Sequence, residues 1–290
     1  MNLASIESRA EDLRLLGLVV SRRGETVWEK TWDAPSRRLV YSASKSFVSC
    51  AVGFALQENL LGLDERLADV FRDELPPDPG PNLRAATLRD ALTMRLGQSQ
   101  ALLMGAQRVN MQEEDWCRAA LAVPFDEAPG THFVYSNVGP YLASLMVQRR
   151  AGCNLVEYLM PRLFWPLGIR LPTWETDPLG RTFGASGLLL GLYELHRLGL
   201  LYLQDGCWQG VRLLSHEWIS ESSRKQAENE GEGYGYLFWR GRYNSFRADG
   251  MYGQFSIVIP DREAVITTTA ESRNQKHLLD TLLDEIVPQL

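Results

Sequence analysis

The chain has 290 residues, of which 45% are hydrophobic and 23% are charged, and its formal net charge is -6. This ordinary globular composition predicts a sizeable core, and the length suits one α/β domain or two interlocked subdomains. Because the basic residues are scattered and outnumbered by acidic ones, binding to nucleic acid is not expected.

The N-terminal segment gives no sign of export. Residues 1–14 carry acidic side chains and no basic cluster, and the first apolar run, residues 15–20, is too short for a signal-peptide core or a membrane span. The cysteines form no CxxC pair, which favours free thiols (Cys50, Cys117, Cys153 and Cys207). We therefore expect a cytoplasmic protein without a membrane partner.

The first 200 residues are predicted to be mostly helical after an initial hairpin. An amphipathic helix over residues 5–14 precedes two apolar runs that turn at Arg23-Gly24. Residues 42–56 contain one cation and no acid, so they predict a buried helix that is apolar nearly all round. A proline-rich loop is expected at 75–82, and the remaining helices are expected at 87–92, 113–122, 137–151, 154–164 and 188–203.

The C-terminal part changes to strand-like patterns. A solvated loop at 225–233 is followed by predicted strands at 235–239, 245–249, 254–260 and 264–269, and by a closing helix at 276–287. Strands at both ends with helices between them predict an α/β (α+β) fold, in which an antiparallel sheet from both chain ends is flanked by helices. We expect a single catalytic domain over 1–290, with an α/β subdomain at about 1–50 plus 205–290 and a helical subdomain at about 51–204.

Ser42 and Lys45 are the first candidate pair for catalysis. They lie three residues apart on the predicted helix, so their side chains share one face. A serine becomes nucleophilic when a base takes its proton, and a lysine can be that base once burial has lowered its pKa. No carboxylate lies between residues 42 and 57. The pattern favours Ser42 as nucleophile and Lys45 as base; the alternative is a structural lysine that extends to the surface.

A second Ser-x-x-Lys sequence joins Ser222 to Lys225. It lies among Glu217, Glu221 and Glu228, so we expect it on a solvated surface where lysine keeps its proton. We predict no catalytic role for it.

Tyr135 and Asn137 form the only Tyr-x-Asn sequence, which follows a Pro-Gly turn and precedes an apolar helix. A tyrosine near an amine can share its proton, and an asparagine can hydrogen-bond a substrate carbonyl. The alternatives are that Tyr135 is a core aromatic residue and that Asn137 caps the helix.

The sequence Ala248-Asp249-Gly250-Met251 precedes an apolar strand. Glycine at this place allows a ligand to approach the backbone closely, and a strand edge can offer an N–H group to an oxyanion. The alternative is a glycine-rich hairpin corner.

Two other hydrolase classes are disfavoured by spacing. His216-Glu217 is followed by Ser220 instead of the second histidine of HExxH, and Gly184-Ala-Ser186-Gly breaks the spacing of Gly-x-Ser-x-Gly. We expect no metal and no other cofactor.

Taken in order, these motifs resemble those of the superfamily of class C β-lactamases, penicillin-binding D-alanyl-D-alanine peptidases and related esterases. The resemblance covers nearly the whole chain, because four further stretches also have counterparts in that family: those that begin at Thr87 (TLRDALTM), Leu163 (LFWPLGI), Ala185 (ASGLLL) and Gly235 (GYLFW). It implies the β-lactamase/transpeptidase-like fold, with an inserted helical subdomain.

The resemblance also implies a role for each matching residue. Ser42 attacks the acyl carbon, Lys45 accepts its proton and Tyr135 passes a proton to the leaving group. Asn137 holds the substrate amide or ester. The third motif aligns with Ala248, Asp249 and Gly250, and the backbone N–H groups of Ser42 and Met251 form the oxyanion hole.

The third motif departs from the lactamases and peptidases, which place a cation there for a substrate carboxylate. Ala248 has no charge and Asp249 repels an anion; Arg95 is the first candidate to supply a cation from elsewhere. The site is more similar to the esterase and 6-aminohexanoate-dimer-hydrolase branch. We expect a serine hydrolase acting on a small ester or amide. β-Lactamase or D-alanyl-D-alanine peptidase activity and a non-catalytic ligand-binding relative are the alternatives, and the sequence predicts no oligomeric state.

Overall fold

A computed structural model describes residues 1–290, and its main feature is a six-stranded antiparallel sheet drawn from both ends of the chain. The strands are β1 (Leu15–Arg22), β2 (Glu25–Thr31), β3 (Arg38–Leu39), β4 (Leu189–Leu190), β5 (Cys207–Trp208), β6 (Val211–Arg212), β7 (Trp239–Arg240), β8 (Phe246–Gly250), β9 (Gln254–Ile259) and β10 (Ala264–Ala270). The order in the large sheet is β2-β1-β10-β9-β8-β7, while β3 pairs with β4 and β5 with β6. The predicted fold class is confirmed.

Helices cover both faces of this sheet. They are α1 (Ala4–Ser8), α2 (Ser44–Gln57), α3 (Leu67–Val70), α4 (Gly80–Ala85), α5 (Leu88–Leu92), α6 (Gly105–Val109), α7 (Trp116–Ala122), α8 (Val138–Ala151), α9 (Leu155–Leu159), α10 (Leu192–Leu203), α11 (His216–Ser223) and α12 (Gln275–Ile286). None of these helices has the length and apolarity that crossing a lipid bilayer requires.

Alternation along the central strands explains why both faces are covered. In β9, Ile257 and Ile259 belong to a smaller core beneath α1 and α12, whereas Val258 belongs to the larger core that contains α2, α8 and α10. Successive side chains of a strand point to opposite faces, so an apolar strand needs a layer on each side. The proposed division into two subdomains stays a prediction.

Several predicted elements have different bounds in the structure. The first helix ends at Ser8, and α4 already begins at Gly80 within the expected loop. The helix expected from residue 188 starts at Leu192, because Leu189–Leu190 pairs with β3 instead. Of the strand expected at 235–239, only Trp239 lies in a strand, β7, which continues to Arg240. The backbone N–H groups of Tyr236 and Leu237 donate to carbonyls outside the sheet, at Ser222 and Leu92.

The helix expected at 154–164 also differs in the structure. Helix α9 ends at Leu159 and continues as a π-helical turn over Met160–Phe164. Pro161 lies in this turn and has no N–H group to donate to a preceding carbonyl, which accounts for the change in the hydrogen-bonding pattern.

A buried histidine joins α10 to the sheet. The ring of His196 lies 2.7 Å from the Ser21 hydroxyl through Nε2 and 2.8 Å from the Thr267 hydroxyl through Nδ1. Only 4% of the residue is exposed. Burial, with a smaller effect from the charge of Arg197, lowers the pKa of His196 to about 4. The folded protein therefore holds a neutral imidazole throughout the neutral range.

This histidine predicts a specific loss of stability in acid. The unfolded chain takes up a proton at His196 below about pH 6.5, while the folded chain stays neutral at this site down to about pH 4, so stability falls between these values. The loss attributable to His196 is up to about 3 kcal/mol. Urea unfolding of wild type and His196→Gln at pH 7, 5.5 and 4.5 measures it. Equal slopes of unfolding free energy against pH in both proteins would show that the histidine contributes nothing.

Candidate active site

Ser42 lies in a tight turn directly before α2. The turn is a 3₁₀ segment, Tyr41–Ala43, and Tyr41 adopts the left-handed conformation with φ of 47°. A tyrosine seldom adopts this conformation unless neighbouring structure holds it. The Ser44 hydroxyl does so here, because it donates to the Tyr41 carbonyl at 2.6 Å and accepts from the Leu188 N–H at 3.2 Å.

The end of β8 packs against the segment that leads into this turn. A Cβ atom on Gly250 would lie 2.1 Å from the Val40 carbonyl oxygen, so only glycine fits. The close approach predicted for this glycine is therefore made to the chain itself, which brings the β8 end next to the Ser42 turn.

Lys45 is buried, with 1% of the residue exposed, and its amine contacts three oxygen atoms. Nζ lies 2.9 Å from Ser42 Oγ, 2.7 Å from Asn137 Oδ1 and 2.8 Å from the Ala185 carbonyl oxygen. The pKa of Lys45 is lowered to about 7, chiefly by burial and also by the charge of Arg108, while the charge of Asp249 opposes the change. Neutral and protonated amine are therefore both populated near neutral pH.

Asn137 occupies the N-cap position of α8, but its side chain does not cap the helix. Its Oδ1 accepts from Lys45, and its Nδ2 donates to the Leu103 carbonyl at 2.8 Å. The helix-cap interpretation of the side chain is wrong, because both ends of the amide are engaged elsewhere. The Leu103 carbonyl fixes which end of the amide faces Lys45.

Tyr135 is half-buried, and its ring centre lies 5.0 Å from Lys45 Nζ. The ring packs on Trp239, with centroids 5.1 Å apart. Burial raises the pKa of Tyr135 well above its usual value; hydrogen bonding with Ser42 opposes this rise, whereas the charge of Asp249 adds to it. The phenol therefore keeps its proton at neutral pH, so it is available as a donor.

The two faces of β8 separate the residues of the third motif. Ala248 is 1% exposed and packs into the larger core, so a side chain at this position does not line an open cleft. Asp249 lies on the other face together with Arg247, whose Nε donates to Asp249 Oδ2 at 2.7 Å. Met251 follows the strand and is 47% exposed. Asp249 is therefore paired with a cation.

Arg95, the cation that the sequence suggested, hydrogen-bonds to other parts of the chain. The Arg95 guanidinium donates to Thr93 and to the Gly130 carbonyl. Arg108 does influence Lys45, and it donates to the same Leu103 carbonyl as Asn137, at 2.9 Å. Neither Arg108 nor Arg247 belongs to a motif, so sequence patterns gave no signal for them.

Two further site residues lacked an assigned role. Ala185 contributes through its backbone carbonyl, which any residue supplies, and Ser44 supports the Ser42 turn. The only sequence signal for Ala185 was that the stretch beginning there has a counterpart in the family that the chain resembles.

The second Ser-x-x-Lys sequence is not assembled into a site. Lys225 is exposed and pairs with Glu228, as expected. The expectation that its serine is solvated is wrong, because Ser222 is fully buried and its hydroxyl donates to the Trp218 carbonyl at 2.6 Å. Helix α11 ends at Ser223, so the helical spacing that would align the two side chains is lost.

Comparisons with known proteins agree with this fold. The sequence model of the Beta-lactamase family matches residues 4–286, so the chain belongs to this family of hydrolases. A solved structure assigned as a 6-aminohexanoate-dimer hydrolase from Bacillus anthracis is similar, with a TM-score of 0.79, 18% identity, and coverage of 98% of this chain and 81% of that chain. β-Lactamase and penicillin-binding protein homologues share the fold.

Curated relatives match over shorter stretches. Lovastatin esterase from Penicillium rubens is 30% identical over 150 residues, which are 44% of this chain and 37% of the esterase. A fimbrial assembly protein, FimD, from Dichelobacter nodosus is 30% identical over 128 residues, which are 43% of this chain and 32% of that protein. The match spans only about a third of each relative's length.

The contact between Asn137 and Lys45 gives a testable prediction. In Asn137→Asp, a carboxylate replaces the amide oxygen beside Nζ and stabilises the protonated amine, which raises the pKa of Lys45 by about 1–3 units. The rate of Ser42 labelling by a fluorophosphonate should therefore increase at a higher pH in Asn137→Asp than in wild type, where the increase is centred near pH 7.

Asn137→Ala is the matched control, since it removes the same acceptor without adding charge. It should slow labelling and leave the pH midpoint without an upward shift. Superimposable pH profiles for wild type and Asn137→Asp would contradict the link between Asn137 and the protonation of Lys45.

Proposed function

We propose that the protein is a serine hydrolase that cleaves a small ester or amide through an acyl-enzyme on Ser42. Lys45 takes the hydroxyl proton as Ser42 Oγ forms its bond to the acyl carbon. When the tetrahedral intermediate collapses, Tyr135 donates its proton to the departing alcohol or amine and is reprotonated by the Lys45 ammonium group. In deacylation, water attacks the ester carbon and gives a proton to the neutral Lys45 amine, and this proton returns to Ser42 Oγ as the acid leaves.

The hydrogen bonding of the Lys45 amine carries this proposal. A neutral amine has two N–H donors and one lone pair. Two of its three neighbours, Asn137 Oδ1 and the Ala185 carbonyl, can only accept, so they use both N–H groups. The lone pair is left for the Ser42 hydroxyl at 2.9 Å. This set of partners fits the neutral amine that a general base requires.

The site also supports a role for the α2 end in stabilising negative charge. Ser42 lies just before the first turn of a 14-residue helix, where the unpaired N–H groups favour an anion. The end of β8 lies alongside, because Gly250 packs on Val40. We assign the oxyanion hole to the backbone N–H groups of Ser42 and Met251, as in the sequence-based expectation.

The proposed substrate class follows from the third motif. A substrate carboxylate would find no cation on Ala248, which is buried, and the nearest charged pair on the strand is neutralised internally. The names of two similar proteins, lovastatin esterase and 6-aminohexanoate-dimer hydrolase, also point to ester and amide bonds. A small ester or amide without a required carboxylate is therefore proposed in preference to a β-lactam.

Replacing the nucleophile tests the proposal. Ser42→Ala should lower kcat/KM for p-nitrophenyl esters or short amides by about 10³-fold or more, since one hydroxyl carries the covalent step. The rates are measured with a panel of such esters, amides and nitrocefin.

Ser222→Ala is the matched control from the second Ser-x-x-Lys sequence. It removes a buried hydrogen bond and should lower stability by about 1 kcal/mol, while kcat/KM stays at the wild-type value. Ser42→Ala within tenfold of wild type would exclude Ser42 as nucleophile, and nitrocefin turnover faster than that of every ester and amide would favour a β-lactamase.

A further inference from the structure

The ion pair of Arg247 and Asp249 lies beside the proposed proton donor. Arg247 is paired in register with Trp239 of β7, and its guanidinium carbon lies 5.9 Å from the centre of that indole ring. Tyr135 packs on the same indole. The charges of both residues act on Tyr135, and that of Asp249 also acts on Lys45. The pair therefore lies close to Tyr135, to which we assign proton donation to the leaving group.

The pair is partly exposed, and Arg247 Nη2 and Asp249 Oδ1 have no hydrogen-bond partner within the protein. The side chains of Arg247 and Asp249 are 13% and 18% exposed. Arg247 uses Nε for Asp249 Oδ2 and Nη1 for the Arg240 carbonyl, while its Nη2 makes no hydrogen bond within the protein. Asp249 Oδ1 is likewise without a protein partner. An open N–H donor and an open carboxylate oxygen thus belong to one pair.

The surrounding charges are balanced when Lys45 is neutral. Arg108 lies 3.3 Å from Glu175, as Arg247 lies 2.7 Å from Asp249, so each of these cations has its own acid. A carboxylate next to the strand would meet the unpaired oxygen of Asp249, and an ammonium group would meet the guanidinium. A carboxamide presents a C=O acceptor and an N–H donor, and matches both open atoms without a net charge.

We propose that Arg247 and Asp249 form a specificity-determining element, which binds an uncharged carboxamide in the leaving group and discriminates against a carboxylate. This inference rests on the hydrolase function proposed above and names its substrate class. Asp249 acts as the element that excludes anions, because without it Arg247 would attract them.

Three acetyl esters of phenols test the pair, since they differ only in the end of the leaving group. The phenols are para-hydroxyphenylacetamide, para-hydroxyphenylacetate and tyramine, which end in a carboxamide, a carboxylate and an ammonium group. They are measured with wild type, Asp249→Asn, Arg247→Gln and the double variant. Changes in Lys45 affect all three esters alike, so they cancel in ratios of kcat/KM.

Wild type should prefer the carboxamide ester over the carboxylate ester by about tenfold or more. Asp249→Asn leaves the Arg247 cation unpaired and should reduce the ratio of carboxamide to carboxylate ester by about tenfold. Arg247→Gln leaves the Asp249 carboxylate unpaired, so it should increase the same ratio and favour the tyramine ester. The double variant, neutral again, should lose selection by charge. Ratios that agree within about twofold among all four proteins would overturn the proposal.

A second measurement uses wild type alone, in case a single variant does not fold. The free phenols compete with a p-nitrophenyl ester, and para-hydroxyphenylacetamide should inhibit at lower concentration than para-hydroxyphenylacetate. Equal or stronger inhibition by the acid would overturn the pair's role. Failure of the hydrolase proposal is distinguishable, since it appears either as a wild-type protein that turns over none of the esters or as turnover retained in Ser42→Ala, whatever the ratios are.

Discussion

The buried amine of Lys45 is the constraint on which the rest of the site depends. Helix α2 is buried over nearly its whole length, so its one cation has no route to water. Burying an ammonium group without a counterion is costly, and the group responds by losing its proton more readily. The chain supplies polar contacts but no carboxylate at hydrogen-bonding distance, and the pKa falls to about 7.

Holding that amine requires distant parts of the chain to meet at one point. Asn137 directly precedes α8, Ala185 lies in the loop before β4, and the Leu103 carbonyl orients Asn137. Arg108 donates to the same carbonyl, so one backbone atom links the amide at Lys45 to a nearby cation. Pairing of Arg108 with Glu175 keeps that cation compensated while its charge still lowers the Lys45 pKa.

Sequence patterns predicted the parts of this arrangement that depend on composition and local spacing. The apolar character of residues 42–56 predicted burial of α2, and strand patterns at both ends predicted the sheet. Contacts made by backbone atoms, such as the Ala185 carbonyl, leave no mark on residue identity. The Asn137 side chain was ambiguous because capping and binding use the same residue type. The glycine at position 250 correctly indicated a close backbone approach, but only the fold shows that the approaching group is the Val40 carbonyl.

Direct titration of Lys45 tests the central claim, that this amine is poised to act as a base at neutral pH. The chain has only four lysines, and the other three are exposed (Lys30, Lys225 and Lys276). NMR of protein labelled with ¹³Cε-lysine therefore gives few signals, and Lys45→Arg assigns the buried one. The account predicts that this signal titrates near pH 7. A Lys45 signal that stays protonated to above about pH 9 would contradict it, because such an amine cannot accept the Ser42 proton at neutral pH.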